Sequence, residues 1–330
     1  MVDVSIVGAG SWGTALANVL ANAGHNVLLH ARKNKTVSEI KTKNTNASYL
    51  PNIKINPKIN AALVDLKAIK KSDIVFLVVP AQTIRTIAVK LASNKCSSIP
   101  LVICSKGIEK NSYKLLSEVL SEYLPKAPVA VLSGPTFARE VATGLPTAVT
   151  IACQDKKIGN KLSRLIATPT FRTYYSNDII GAQIGGAVKN ILAIACGIVV
   201  ARNFGENARA ALISRGLAEM KRLGQAKGAN TKTLMGLSGV GDLTLTCTSV
   251  QSRNYSFGLM LGKDETVDTI SNKNLSLTEG TTSALAVTGL ANQLRVSMPI
   301  CCAVNKVVNE RAEITDTINQ LLRRNIKNEV

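Results

Sequence analysis

A chain of 330 residues, 46% hydrophobic and 18% charged, is long enough for two globular domains, each with its own core. Aromatics make up only 4%, so those cores must be built from Ala, Val, Ile and Leu. Seven cysteines without C-x-x-C spacing, and only two histidines, leave little material for a disulfide framework, a metal site or a Ser-His-Asp triad.

The net charge of +19 is uneven: residues 1–183 hold 23 Lys+Arg against 10 Asp+Glu, and the remainder holds 17 against 11. Such a surplus suits nucleic acid, anionic lipid or a phosphorylated small molecule. The cations are scattered and few aromatics are interleaved for base stacking, which favours the phosphorylated small molecule over nucleic acid. The start, MVDVSIVGAG, has no basic segment before its apolar run and does not read as a signal peptide. Cysteines set among apolar residues suit core filling in a reducing cytoplasm.

In chain order, residues 3–7 (DVSIV) read as a buried strand running into Gly8-Ala9-Gly10-Ser11-Trp12-Gly13. A helical pattern follows through TALANVLANAG, with Gly24 placed to end it. A second strand, HNVLLH (25–30), follows at the distance expected of a βαβ unit. G-x-G-x-x-G in that setting is a dinucleotide fingerprint. Gly8 permits the tight turn, Gly10 lets the backbone approach a pyrophosphate, and Gly13 lets helix and strand pack. After the second strand, where an NAD binder places Asp or Glu, this chain has Arg32-Lys33 and no acid until Glu39. A guanidinium there suits a 2′-phosphate, so NADP is preferred over NAD; a solvated loop cation is the other reading of Arg32.

Further strands are expected at 73–80, 100–107, 127–135 and 147–153, several of them continuous apolar runs suited to a sheet covered on both faces. Ligands in such sheets lie beyond the strand ends, where Lys106, Gly134 and Thr136 fall. After 175–183 the strand pattern stops, and the fold class is α/β: a Rossmann-type doubly wound sheet, then an all-α domain. Residues 1–180 are expected to bind the dinucleotide, and 181–330 to bind substrate and supply the catalytic groups. In 208–224, Ala208, Ala211, Leu212, Leu217 and Met220 are expected to face inward, and 313–324 to form a capping amphipathic helix.

Within 179–201, IIGAQIGGAVKNILAIACGIVVA, Lys189 is the only charge. Four glycines and central Lys189-Asn190 make a poor lipid-facing surface, so membrane insertion is not expected. A lysine snorkelling from a core helix, or a functional ammonium, remain open from this stretch alone. Likewise Asp242, and the cluster Ser252-Arg253-Asn254, suit either a phosphate grip or a polar loop opening a helix.

The series GAGSWGTALA, YLPN, SKGIE, SGPTFA, GGAVKN, NARAALISRGLAEM, GVGDLTLTCTSVQSRN and TEG, in order over almost the whole chain, resembles bacterial NAD(P)-dependent glycerol-3-phosphate dehydrogenase. The resemblance implies interconversion of dihydroxyacetone phosphate and sn-glycerol 3-phosphate, supplying phospholipid synthesis, by a cytoplasmic homodimer. It implies that Lys189 transfers the proton, with Asp242, which could hold that lysine in position, and Lys106 as the further catalytic residues. Lys106, Gly134, Thr136, Lys189, Asp242, Ser252, Arg253 and Asn254 would line the substrate. Ser11, Trp12, Arg32, Lys106, Ala138, Arg253, Leu277 and Glu279 would touch the dinucleotide. A related two-domain β-hydroxy acid dehydrogenase is the alternative enzyme; a basic nucleic-acid- or membrane-surface-binding protein is the alternative outside catalysis.

Overall fold

The computed structural model describes residues 1–94, 96, 98–272 and 279–325. The first half runs β1 (Asp3–Val7), α1 (Ser11–Asn22), β2 (Asn26–Ala31), α2 (Asn34–Lys43), β3 (Thr45–Asn46), β4 (Leu50–Lys54), β5 (Asn60–Leu63) and β6 (Ile74–Leu77). It continues through α3 (Ile84–Ser93), β7 (Leu101–Ile103), α4 (Leu116–Tyr123), β8 (Val129–Ser133), α5 (Ala138–Ala142), β9 (Thr147–Cys153), α6 (Lys156–Ile166) and β10 (Phe171–Ser176). Eight strands form one sheet in the order β10-β9-β8-β7-β6-β1-β2-β5. All pairings are parallel except β8 with β9.

Register aligns His30, Val7, Leu77, Ile103 and Val131 across five strands, so the loops after them open along one edge. The crevice lies where β1 is flanked by β2 and β6, the switch point of the winding. One apolar cluster, including Leu16, Ile40, Leu162 and Ile166, lies under α1, α2, α5 and α6. A second, including Ile84, Leu91, Leu116 and Leu120, lies under α3 and α4. The HNVLLH strand begins one residue later than expected: His25 precedes β2, donating or accepting nothing to the ladder, and its Nε2 lies 2.9 Å from the Leu165 carbonyl.

After Ser176 the described residues form helices: α7 (Ile179–Ala201), α8 (Gly205–Lys227), α9 (Thr231–Leu234), a π turn (Leu237–Gly241), α10 (Asp242–Cys247) and α11 (Arg253–Gly262). Then come α12 (Val267–Asn272), α13 (Glu279–Gln293), α14 (Pro299–Asn309) and α15 (Ile314–Leu322). α7 has the length and hydropathy of a membrane span, yet 20 of its 23 residues are buried, as the axis of the helical body. Its glycines seat neighbouring backbone: a Cβ on Gly185 would fall 2.0 Å from the Ser238 carbonyl oxygen, and one on Gly197 2.2 Å from that of Tyr255.

The expected inner face of α8 needs correction. Met220 is buried and Leu212 and Leu217 pack, partly buried, against the helical core, but Ala211 is exposed and Ala208 is only partly covered. The buried stripe is Gly216, Glu219, Met220, Leu223 and Gly224. Gly216 meets the Leu192 side chain of α7, and Glu219 accepts the Ile300 and Cys301 amides at the start of α14, so close approach and a cap set the face rather than side-chain size. α15 packs Ile314 and Ile318 on the helical core, as a capping helix does. All seven cysteines are free and six are buried, Cys96, Cys104 and Cys153 around the sheet and Cys196, Cys247 and Cys301 among the helices.

Candidate active site

The β1–α1 turn is built by contact. Gly8 has φ +120°, and a Cβ there would lie 2.1 Å from the Val78 carbonyl oxygen beyond β6. A Cβ on Gly13 would lie 1.8 Å from the Gly8 carbonyl oxygen, so helix and turn touch backbone to backbone. Gly10, by contrast, has nothing within 4 Å of where its Cβ would point. That open side faces the N-terminus of α1, whose first turn carries no acid and whose early amides lack intrahelical partners. A pyrophosphate fits such a cradle, held by N–H groups and the helix dipole. Trp12 and Ala138 pack partly buried against the core beside it, and Ser11 Oγ donates to the Tyr49 carbonyl at 2.9 Å. Arg32 is exposed just past β2, with no carboxylate in its place.

Across the crevice, three charged groups meet. The β7 loop carries Lys106, whose stem lies beside Gly186 of α7: a Cβ on that glycine would be 3.4 Å from Lys106 Cγ. Lys106 Nζ donates to Asp242 Oδ2 at 2.6 Å, and Lys189 Nζ donates to Asp242 Oδ1 at 2.5 Å. Asp242 is fully buried and Lys189 is 6% exposed. The π turn swings Asp242 into the first position of α10, under Pro135 of the β8 loop, whose ring is 3.6 Å from where a Gly241 Cβ would sit.

Electrostatics separate the two lysines. Burial holds the Lys189 ammonium down at about 8; Asp242 opposes the shift and the Lys106 charge adds to it. Burial also disfavours charge on Lys106, but attraction to Asp242 outweighs it and raises that lysine, with Glu279 contributing from the start of α13. Burial pushes Asp242 up, and the two ammonium groups more than reverse this, holding its carboxyl below the usual range. The result is one permanent cation, one permanent anion and one group able to exchange a proton near neutral pH.

Thr246 belongs to this centre and was not singled out from sequence. Its Oγ1 accepts from Lys189 Nζ at 2.9 Å while donating to the Asp242 carbonyl at 2.6 Å. The signal available was the i, i+4 spacing of Asp242 and Thr246 in DLTLT, which puts both on one helical face.

Ser252, Arg253 and Asn254 open α11. Ser252 caps it, accepting from the Tyr255 amide; Arg253 is exposed; Asn254 is buried, and its Oδ1 accepts the Gly280 amide at 3.0 Å. A Cβ on Gly280 would lie 3.0 Å from the Asn190 carbonyl oxygen, so this cluster adjoins the residue after Lys189. Thr136 is partly buried, its Oγ1 3.3 Å from the Gly134 carbonyl. Gly134 is accounted for by packing, since at φ +144° a Cβ would press on Val149 Cα at 3.0 Å. Leu277 lies outside the described residues. His30 is buried on β2 with its Nε2 3.2 Å from Ser5 Oγ, and burial lowers its pKa.

This fold, with a dinucleotide cradle facing a buried lysine–aspartate centre, defines the class of nicotinamide-dependent dehydrogenases. The family model for the NAD-dependent glycerol-3-phosphate dehydrogenase N-terminus matches residues 3–159, and that for the C-terminus matches 178–319. The chain belongs to the NAD-dependent glycerol-3-phosphate dehydrogenase family. It is 48% identical to the glycerol-3-phosphate dehydrogenase [NAD(P)+] of Parvibaculum lavamentivorans, over 99% of this chain and 98% of that one. The crystal structure of glycerol-3-phosphate dehydrogenase from Coxiella burnetii superposes with a TM-score of 0.93 at 38% identity, over 98% of this chain and 99% of that one. D-mandelate dehydrogenase shares the fold alone, with a TM-score of 0.65 at 15% identity over 96% and 99%.

Proposed function

We infer that the protein interconverts dihydroxyacetone phosphate and sn-glycerol 3-phosphate using NAD(P)H, with Lys189 as the acid/base. The observation that carries this reading is the shared carboxylate of Asp242, which fixes two lysines of different basicity over the crevice. When bound, the nicotinamide supplies the hydride to the carbonyl carbon, or accepts it in reverse. Lys189 gives its proton to the developing alkoxide, and takes it back from the hydroxyl in oxidation. Its pKa of about 8 keeps both forms available near neutral pH. Lys106 stays cationic and faces the same oxygen-rich substrate, while Asp242 and Thr246 hold Lys189 in line.

Ser252, Arg253 and Asn254 are assigned to the phosphate. With its oxygen committed to Gly280, Asn254 has its amide hydrogens to offer, and Ser252 retains its hydroxyl hydrogen. A phosphate grip favours this substrate over an unphosphorylated hydroxy acid. Arg32 supports a preference for NADPH over NADH. We read residues 1–180 as the dinucleotide-binding domain and 181–330 as the substrate domain. A reducing cytoplasm suits the buried free thiols, and a homodimer follows from the family resemblance.

The test compares dihydroxyacetone phosphate with bare dihydroxyacetone in wild type and Arg253→Ala. A charge-assisted hydrogen bond contributes about 1.5–3 kcal/mol, and part of that binding energy orients the carbonyl. Arg253→Ala is therefore expected to injure the phosphorylated reaction far more than the bare one. Equal loss with both would remove Arg253 from the phosphate.

A further inference from the structure

The two sides of the sheet differ in charge. Helices α1, α2, α5 and α6 together carry eight Lys/Arg against two Glu. Helices α3 and α4, on the other side, carry two of each, and the short turn Ala68–Lys71 packed with them adds Lys70 and Lys71. The net surplus is therefore six on the first side against two on the second.

It is densest on α6. Gly159, Leu162 and Ile166 are buried, with Gly159 lying against the Tyr175 ring of β10. Lys156, Lys157, Lys161 and Arg164 are exposed. At about 100° per residue these four fall within an arc of roughly 140° on the side away from the sheet. The carboxylate at this helix is Asp155, already engaged in capping the Ile158 amide at 3.0 Å. Among the described residues, none of the four cations has an ion-pair partner.

We propose that the basic face of α6 docks the protein reversibly on an anionic lipid bilayer. The apolar side of α6 is committed to the sheet, so attachment is electrostatic, without insertion, and is screened by salt. A row of long, flexible cations on one straight helix suits a plane of lipid headgroups, where each contributes independently. A polynucleotide is the poorer match, because the exposed arc offers no aromatic for base stacking. Tyr174, the exposed aromatic of β10, points to the other side of its strand from Tyr175 and stacks with Arg172, 5.6 Å from ring centre to guanidinium. The crevice opens at the strand ends rather than across α6, so a docked molecule keeps its mouth free. This inference does not depend on the reaction assigned above.

The experiment is sedimentation with vesicles of equal parts phosphatidylglycerol and phosphatidylcholine, and with phosphatidylcholine alone. Wild type is expected to pellet with the anionic vesicles only and to be released by added salt. Lys161→Glu is expected to lower the partition coefficient about tenfold, at about 1 kcal/mol per cation near the surface plus the repulsion of the new carboxylate. Lys90→Glu, the same charge change on exposed α3, is expected to leave it unaltered. A thermal melt and the solution reaction rate of Lys161→Glu should match wild type, showing an intact fold. Equal loss from both variants would mean that net charge, not this face, binds. No pelleting by wild type, no loss in Lys161→Glu, or displacement from vesicles by stoichiometric duplex DNA would each overturn the proposal.

Discussion

The β1–α1 turn and the Lys106–Asp242–Lys189 centre both serve anionic chemistry, by opposite means. From Val4 to Gly24 there is no charged residue, so the turn offers only backbone amides and a helix dipole. The centre instead holds three formal charges within 2.6 Å contacts, with Asp242 and Lys189 buried and Lys106 partly so. A cofactor that must leave after each turnover suits a cradle of partial charges. Full charges in a low-dielectric site suit the place where charge develops during reaction, because there they need little reorganisation. The contrast makes the two regions separable by mutation.

The largest effect is expected at the charged centre. Lys189→Met should lower kcat by at least about 10²–10⁴-fold while leaving dinucleotide affinity unchanged, read by quenching of Trp12, the only tryptophan. Near-normal turnover in a folded variant would return Lys189 to a packing role.

The uncharged cradle should fail differently. Gly13→Ala forces a Cβ onto the Gly8 carbonyl and should cost about 1–3 kcal/mol of stability, seen in chemical denaturation, together with dinucleotide binding. Gly10→Ala, pointing into open space, should keep the melting temperature and still weaken the dinucleotide. If both variants behave alike, the cradle is only a structural turn. Arg32→Ala sharpens the cofactor side further: it should cost NADPH affinity about tenfold or more, one charge-assisted bond, and spare NADH.

The smallest effect is a shift in pH dependence. Reduction needs the Lys189 ammonium, so its kcat/KM should fall as pH rises through about 8, while oxidation should rise over the same window. Thr246→Val removes an acceptor that favours the ammonium, so the descending limb should move to lower pH. A limb that moves upward, or stays, would detach Thr246 from Lys189.

Much of this is legible in the sequence alone. Strand 3–7, the glycine turn and the following helix announce themselves locally, because turn geometry and helix capping depend on neighbours in sequence. Lys189 stood out as one charge in an apolar run. What joined it to its partners did not: Asp242 is 53 residues away and Lys106 is 136 from Asp242, distances at which no periodicity speaks. Thr246 stayed hidden for that reason, since its i, i+4 relation to Asp242 gains meaning only once Lys189 arrives between them. β10 (FRTYYS) gives no apolar run to read, because an edge strand alternates exposed and covered residues. The reversal of β8 against β9 is likewise invisible to hydropathy, which reports burial and not direction. On α8, side-chain size misled; Gly216 and Glu219 face inward because backbone proximity and a cap are needed there.

The six buried thiols have a consequence for watching this molecule move. Burial pushes the Cys104 and Cys301 thiols far above their ordinary pKa, so in the closed protein neither presents a reactive thiolate. A maleimide or disulfide reagent therefore modifies each only when its surroundings open. Cys104 samples breathing of the sheet beside the crevice, and Cys301 that of the helical body. Labelling rates at the two sulfurs would give separate opening free energies for the two halves from one unmodified chain, without a probe being introduced. Saturating dinucleotide should slow Cys104 labelling more than Cys301, mapping how far the stabilisation conferred by a ligand spreads.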